Sequence, residues 1–229
     1  MLLAPCTIQI LEQCQDFDQL TISFEQLAVE KRLSSNERAS LSVAFKNAAS
    51  SRRAALTAVS QAIQREKTEQ SPNTEKLAVE YQNLLQSELR GICSRAISLA
   101  LKLADSADSP EAMVSYLKIQ ADHLRYLAEL DAGFSSQAEE AYAKAYAIAF
   151  ESLHASDPLR LGLGLNKAVF EMEITRDLKK ACGTAREVFE SGTKKAGELS
   201  GPRLKVAAGL LQRLRDNLTL WTTMGLGDR

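Results

Sequence analysis

The amino-acid sequence predicts an all-α fold of about nine antiparallel helices, and three observations carry that expectation. Leu (33) and Ala (32) dominate the 229 residues while Gly (11) and Pro (5) are scarce, a mixture that suits helices and leaves little material for sheet turns. Apolar residues recur at helical spacing, without the strict alternation of strands. Four of the five prolines lie in polar runs between the apolar stripes, where each reads as a helix start.

In chain order, the expected helices begin with 6–16, 18–32 and 36–68. The fourth, 75–105, follows Pro72 in EQSPNTEK and carries the stripe Leu77, Tyr81, Leu84, Leu85, Leu89, Ile92, Cys93 and Ala96. The fifth, 110–131, opens at Pro110 in DSADSPEA and is striped by Met113, Tyr116, Leu117, Leu124 and Leu127. The sixth spans 135–153. The seventh, 158–176, opens at Pro158 in HASDPLR. After the eighth, 178–198, the ninth runs over 202–223 from Pro202 in LSGPR, striped by Ala207, Leu210, Leu211, Leu214, Leu218 and Trp221. Short loops favour antiparallel neighbours.

Charge and composition exclude several classes. Lys and Arg number 28 against 29 Asp and Glu, a net charge of −1, and apolar residues make up 45%. Those are globular values, and near-neutrality argues against general adhesion to nucleic acid or membrane. No apolar run reaches a membrane span, and the start MLLAPC lacks a basic residue and a long apolar region, so a signal peptide is not expected. Cys6, Cys14, Cys93 and Cys182 form no CxxC pair and read as small buried hydrophobes, in a cytoplasmic or nuclear setting. His123 and His154 have no ligand-spaced companion, so neither metal nor cofactor is expected.

Enzyme signatures are absent: there is no GxGxxG, GxxxxGK[ST], GxSxG or HExxH. RLGLGLN at 160–166 lies inside a helical pattern, and close helix packing explains its glycines better than a phosphate loop. Glu171 and Glu173 are two apart and point to different helix faces. The informative segment is 39–64, where Lys46, Arg52 and Arg53 are the only charged residues. Lys46 and Arg53, seven apart, share one face and could either be solvated or hold an anion. Asn166 and Glu173 repeat the spacing of seven around Val169, and Asn217, Leu220 and Trp221 cluster at i, i+3 and i+4. Asn inside a helix needs a hydrogen-bond reason.

Four blocks, LSVAFKNAASSRR (41–53), YLKIQADHLRYLAEL (116–130), DPLRLGLGLNKAVFEMEI (157–174) and RLRDNLTLWT (213–222), resemble the 14-3-3 proteins in order and spacing over nearly the whole chain. The resemblance implies a single domain over 1–229, with N-terminal helices 1–32 at a dimer seam, groove-forming helices 33–223 and a short tail 224–229. It implies a concave amphipathic groove that binds phosphoserine or phosphothreonine segments of client proteins, a mode that uses Arg clusters. By position, Lys46, Arg53, Arg125 and Tyr126 would hold the phosphate. Asn166 and Asn217 would hold the client backbone, and Glu173 with Trp221 would add a polar pair. Lys118 and Asp122 would lie on the groove floor, and Leu165, Val169 and Leu220 on its apolar wall. A phosphate brings about −1.5 to −2 charges, which two Arg and one Lys can neutralise.

The chain departs from the family pattern in ways that matter physically. Arg213 stands where an apolar wall residue is usual, Lys167 adds a cation beside Asn166, and Thr57 replaces an Arg one turn after Arg53. At the seam, Ile10, Cys14, Val59 and Tyr81 keep an apolar character. Asp16, Gln19, Leu84 and Glu88 occupy positions where the family pairs opposite charges, and Asp16 would meet Glu88 with like charge. These departures imply a homo- or heterodimer with a weakened or altered seam, or a monomer. An alternative is a divergent scaffold that keeps the fold, has an altered or occluded groove and binds partners independently of phosphate.

Overall fold

The computed structural model describes residues 5–69 and 72–227, and these form nine α-helices with two 3-10 turns and no strand. The chain divides into two compact units, Met1–Ala100 and Leu101–Arg229.

The first unit is built from α1 (Pro5–Cys14), α2 (Phe17–Glu30), α3 (Ser35–Glu69) and most of α4 (Pro72–Asp105). Gln15, in left-handed backbone at φ 56°, turns the chain from α1 into α2. Asp16 caps α2 by accepting from the Gln19 N–H at 3.2 Å. A reciprocal box precedes α3: the Ser34 N–H and hydroxyl donate to Glu37 Oε2, both at 2.8 Å, and Lys31 Nζ donates to Oε1 at 2.6 Å. Burial alone would raise the Glu37 pKa, but Lys31 and the two Ser34 donors outweigh it and lower it to about 2. Leu20, Phe24, Leu41, Phe45, Leu89 and Cys93 are buried at the centre. Two arginines tie the helices together. Arg52 places its fork on Asp18 (3.0 and 2.8 Å) and its Nε on Glu88 (3.0 Å). Arg95 bonds Glu25 at 2.8 Å and the Thr21 hydroxyl at 3.0 Å.

The second unit continues through α5 (Pro110–Leu130), α6 (Ser135–Ser152), α7 (Pro158–Glu173), α8 (Leu178–Lys195) and α9 (Gly201–Gly227). Ser109, Asp157 and Asp177 cap α5, α7 and α8. Pro72, Pro110 and Pro158 each open a helix, where the missing N–H costs nothing, and Pro202 is the second residue of α9. Arg160 closes α6 by donating to the Phe150 and Leu153 carbonyls at 3.1 and 2.9 Å. Leu161, Leu165, Ala185, Val188, Leu214 and Trp221 belong to the core between α7, α8 and α9.

Three sequence expectations need correction. The ninth helix continues past 223 to Gly227, the Thr222 and Thr223 hydroxyls bonding the carbonyls four residues back. Cys14 is exposed on α1, because its helix buries little; the side chain of Cys6 lies outside the described residues. The two glycines of RLGLGLN differ. A Cβ on Gly164 would sit 2.5 Å from Val188 Cγ2, whereas one on Gly162 would meet nothing nearer than 3.8 Å. Only Gly164 is required by the approach of α7 to α8, since the β-branched Val188 cannot swing aside.

Gly164→Ala should therefore destabilise the chain by about 1–3 kcal/mol. Gly209→Ala, on an open stretch of α9 with nothing within 4 Å of the added carbon, should stabilise it by roughly 0.5–1 kcal/mol. Urea unfolding of both variants checks the pair; equal shifts would refute the packing account.

Candidate functional site

The first unit carries Lys46 and Arg53 on α3. Seven residues bring a helix through nearly two turns, so the two share a face. Lys46 is exposed and makes no hydrogen bond or ion pair among the described residues, and Arg53 is half-buried. Arg52, adjacent to Arg53, turns instead to α2 and α4 through Asp18 and Glu88, so the acid-free stretch contains one structural cation. The Thr57 hydroxyl donates to the Arg53 carbonyl at 3.1 Å. The seam residues lie on the same unit. Ile10, Tyr81 and Leu84 are more than half exposed, at 56%, 51% and 53%. Cys14, Gln19 and Glu88 are exposed and Val59 is half-buried.

The second unit gathers most of the other predicted residues around one carboxylate. Asp122, buried on α5, accepts from Lys118 Nζ at 2.6 Å, from the Tyr142 hydroxyl at 2.7 Å and from Asn166 Nδ2 at 2.8 and 2.9 Å. Burial alone would raise its pKa, but the charges of Lys118 and Arg125 and the bonds from Lys118 and Tyr142 outweigh that and hold it below the usual carboxylate range. Burial and the neighbouring Asp122 push the Tyr142 hydroxyl well above its ordinary value, so it stays a donor. An ionised Asp122 only accepts, which settles the orientation of Asn166: the amide NH2 faces Asp122 and the amide oxygen is left pointing elsewhere as an acceptor.

Arg125 lies one turn further along α5 and is also buried. Its Nε donates to the Tyr142 oxygen at 3.3 Å and Nη1 to Glu129 at 3.1 Å, with Glu173 at 3.9 Å. The guanidinium rests 4.7 Å from the centre of the Tyr126 ring. Nη2 makes no hydrogen bond among the described residues. The helix positions all of this: Lys118, Asp122, Arg125 and Glu129 follow the i, i+4 and i+3 spacings that place side chains over one another.

The remaining predicted residues divide by exposure. Leu165 and Trp221 are buried in the core of the unit, with Val169 packed against it. Leu220 is 57% exposed, Asn217 half-buried and Arg213 exposed on α9. Lys167 does not add a cation beside Asn166. It turns to Glu171 and to the Thr184 hydroxyl at 3.3 Å, 5.3 Å from the centre of the Tyr146 ring. Consecutive helix positions diverge by about 100°, which sends Lys167 toward α8 while Asn166 faces α5.

Sequence reasoning missed Tyr142 and Glu129. Glu129 carried a signal, its i+4 spacing from Arg125. Tyr142 carried none, because its 20-residue separation from Asp122 closes only when α6 folds back on α5.

Comparison with known proteins covers nearly the whole chain. The family model described as 14-3-3 protein matches residues 7–222. The 14-3-3 protein beta/alpha of Homo sapiens is 34% identical over 227 residues, 96% of this chain and 92% of that protein. The 14-3-3 protein zeta of Xenopus laevis is 37% identical over the same shares, and the beta/alpha protein of Xenopus tropicalis 35%.

Tyr142→Phe removes a donor to Asp122 and an acceptor for Arg125 without changing shape. It should cost about 1–3 kcal/mol in urea unfolding, because a buried carboxylate loses a bond. Unchanged stability would mean the network does not hold α5 to α6.

Proposed function

The chain belongs to the 14-3-3 family, and from that premise we propose that it is a phosphoserine/phosphothreonine-binding adaptor. Family membership already makes it a non-enzymatic adaptor that binds other proteins. The finer reading assigns the phosphate to Lys46, Arg53, Arg125 and Tyr126. The observation that carries it is the state of Arg125. Glu129, Tyr142 and the Tyr126 ring fix the guanidinium while Nη2 remains available. A donor held in place before binding loses little entropy on meeting a phosphate. Asn166 supports the same reading, because its NH2 is held by Asp122 and its oxygen can accept a client backbone N–H. Asn217 and Leu220 would border the client from α9. No helix among the described residues is long and apolar enough to cross a membrane.

Dimerisation belongs to the same proposal. Ile10, Tyr81 and Leu84 offer apolar area, while Asp16 is engaged as a helix cap and Glu88 by Arg52 within the protomer. Those two acids therefore repel less than their sequence positions imply, yet they supply no pair across the seam. Association would rest on apolar burial.

In fluorescence anisotropy, a phosphoserine peptide with Arg before the phosphoserine and Pro after it should bind. Arg53→Ala and Arg125→Lys should each weaken it at least about 100-fold, the loss of two charge-assisted bonds, with the helical circular dichroism retained. Equal binding of the unphosphorylated peptide would select the phosphate-independent scaffold instead.

Sedimentation at low micromolar concentration should show monomer and dimer in exchange, and Tyr81→Glu should leave monomer. A tight symmetric dimer at that concentration would refute the weakened seam.

A further inference from the structure

The ninth helix presents two faces. Ala207, Leu211, Leu214 and Trp221 are buried in the core of the second unit. The adjoining face carries Val206, Arg213, Asn217, Leu220 and Met224, with Leu210 at its edge packed against that core, and the alternating spacing of three and four makes a continuous stripe. Val206, Leu220 and Met224 are 54%, 57% and 50% exposed, unusual for apolar residues on one helix face. The stripe borders α7 and α5: a carbon added at Gly162 would lie 4.0 Å from both Leu210 methyls and 3.8 Å from Lys118 Cε.

Arg213 is the only charged residue in that stripe, and it makes no hydrogen bond or ion pair among the described residues. The other two arginines of α9 are engaged. Arg215 donates to Gln212 at 2.6 Å, Gln212 donates to Asp216 at 2.6 Å, and Arg203 reaches Asp157 at 2.5 Å. Lys118, which borders the stripe on α5, is held by Asp122. Gly209, one turn before Arg213, has no side chain and nothing within 4 Å of where one would start. Nothing in the packing requires a glycine there.

We propose that Arg213 determines client specificity, selecting segments that carry an anionic side chain, carboxylate or phosphate, next to the phosphorylated residue. This rests on the phosphopeptide-binding reading and adds a second, separate anion contact to it. A guanidinium without a partner among the described residues, set among apolar side chains, favours a planar, bidentate acceptor over a neutral residue. The stripe around it supplies apolar contact to the rest of the segment. The distance scale agrees: Arg213 and Asn217 are one turn apart, about 6 Å along the helix, or roughly two residues of an extended segment. The anion therefore falls within a few residues of the part that Asn217 would hold.

The test uses the full chain and a labelled phosphoserine peptide with alanine at the positions flanking the phosphoserine. Aspartate is scanned through four positions on each side. At one position, or two alternate ones, aspartate should tighten binding about three- to tenfold over alanine, with the gain shrinking at high salt. Arg213→Ala should remove the gain, read as the ratio of aspartate to alanine peptide affinity within each variant, and Arg213→Glu should reverse the preference toward lysine. A second phosphoserine at the selected position distinguishes the two anion sources by whether it outbinds aspartate. No gain at any position, or a gain that survives Arg213→Ala, overturns the inference while the parent peptide still binds. If the parent peptide fails to bind the unsubstituted chain, the phosphopeptide reading and this inference fall together.

Discussion

The second unit is organised around the ionised carboxylate of Asp122. Removing a charge from water costs several kcal/mol unless donors replace the lost hydration. Here Lys118 and the Tyr142 hydroxyl supply one bond each and the Asn166 amide supplies two, from three helices. Because each donor must sit within hydrogen-bond distance, the carboxylate fixes where α6 and α7 stand relative to α5. It fixes the rotamer of Asn166 and, through Tyr142, one side of Arg125. Two of the groups proposed to meet a client, Asn166 and Arg125, are thus positioned from Asp122.

The first unit solves a related problem differently. Its α3 carries three cations over a long stretch without an acid, and self-repulsion is relieved by directing Arg52 away to Asp18 and Glu88. That fork joins α2, α3 and α4 and leaves Lys46 and Arg53 on another face. Arg95 adds a second link through Glu25 and Thr21, beside the ring of Phe45. Exposed ion pairs contribute modestly to stability, so the apolar contacts of Leu20, Phe24 and Phe45 hold the unit together and the arginines set register.

Arg213 and Lys167 show why charge alone does not reveal a role. Both are cations on helices that carry predicted client-contacting residues. Lys167 is turned to Glu171 and Thr184, so its charge is neutralised inside the unit. Arg213 lies in an exposed apolar stripe and has no hydrogen-bond or ion-pair partner among the described residues. Their sequences differ in no way that announces this; the neighbouring helices decide it.

The sequence by itself determined the helices and their order, because apolar period, proline position and capping residues act within a few residues of one another. Ser34 with Glu37, Asp157 with Pro158 and the stripe of α9 are local facts, and the four family-like blocks are equally local. It also determined which residue types were present for an anion site. Only the tertiary structure decided which of those side chains are engaged and which are available. Asp122 meets Tyr142 and Asn166 across 20 and 44 residues, and Arg52 meets Asp18 across 34. Gly164 is required where Gly162 is not, because α8 approaches one of them and not the other. Such pairings depend on distances between helices, and helical periodicity specifies the face a residue occupies without specifying what the fold brings against it.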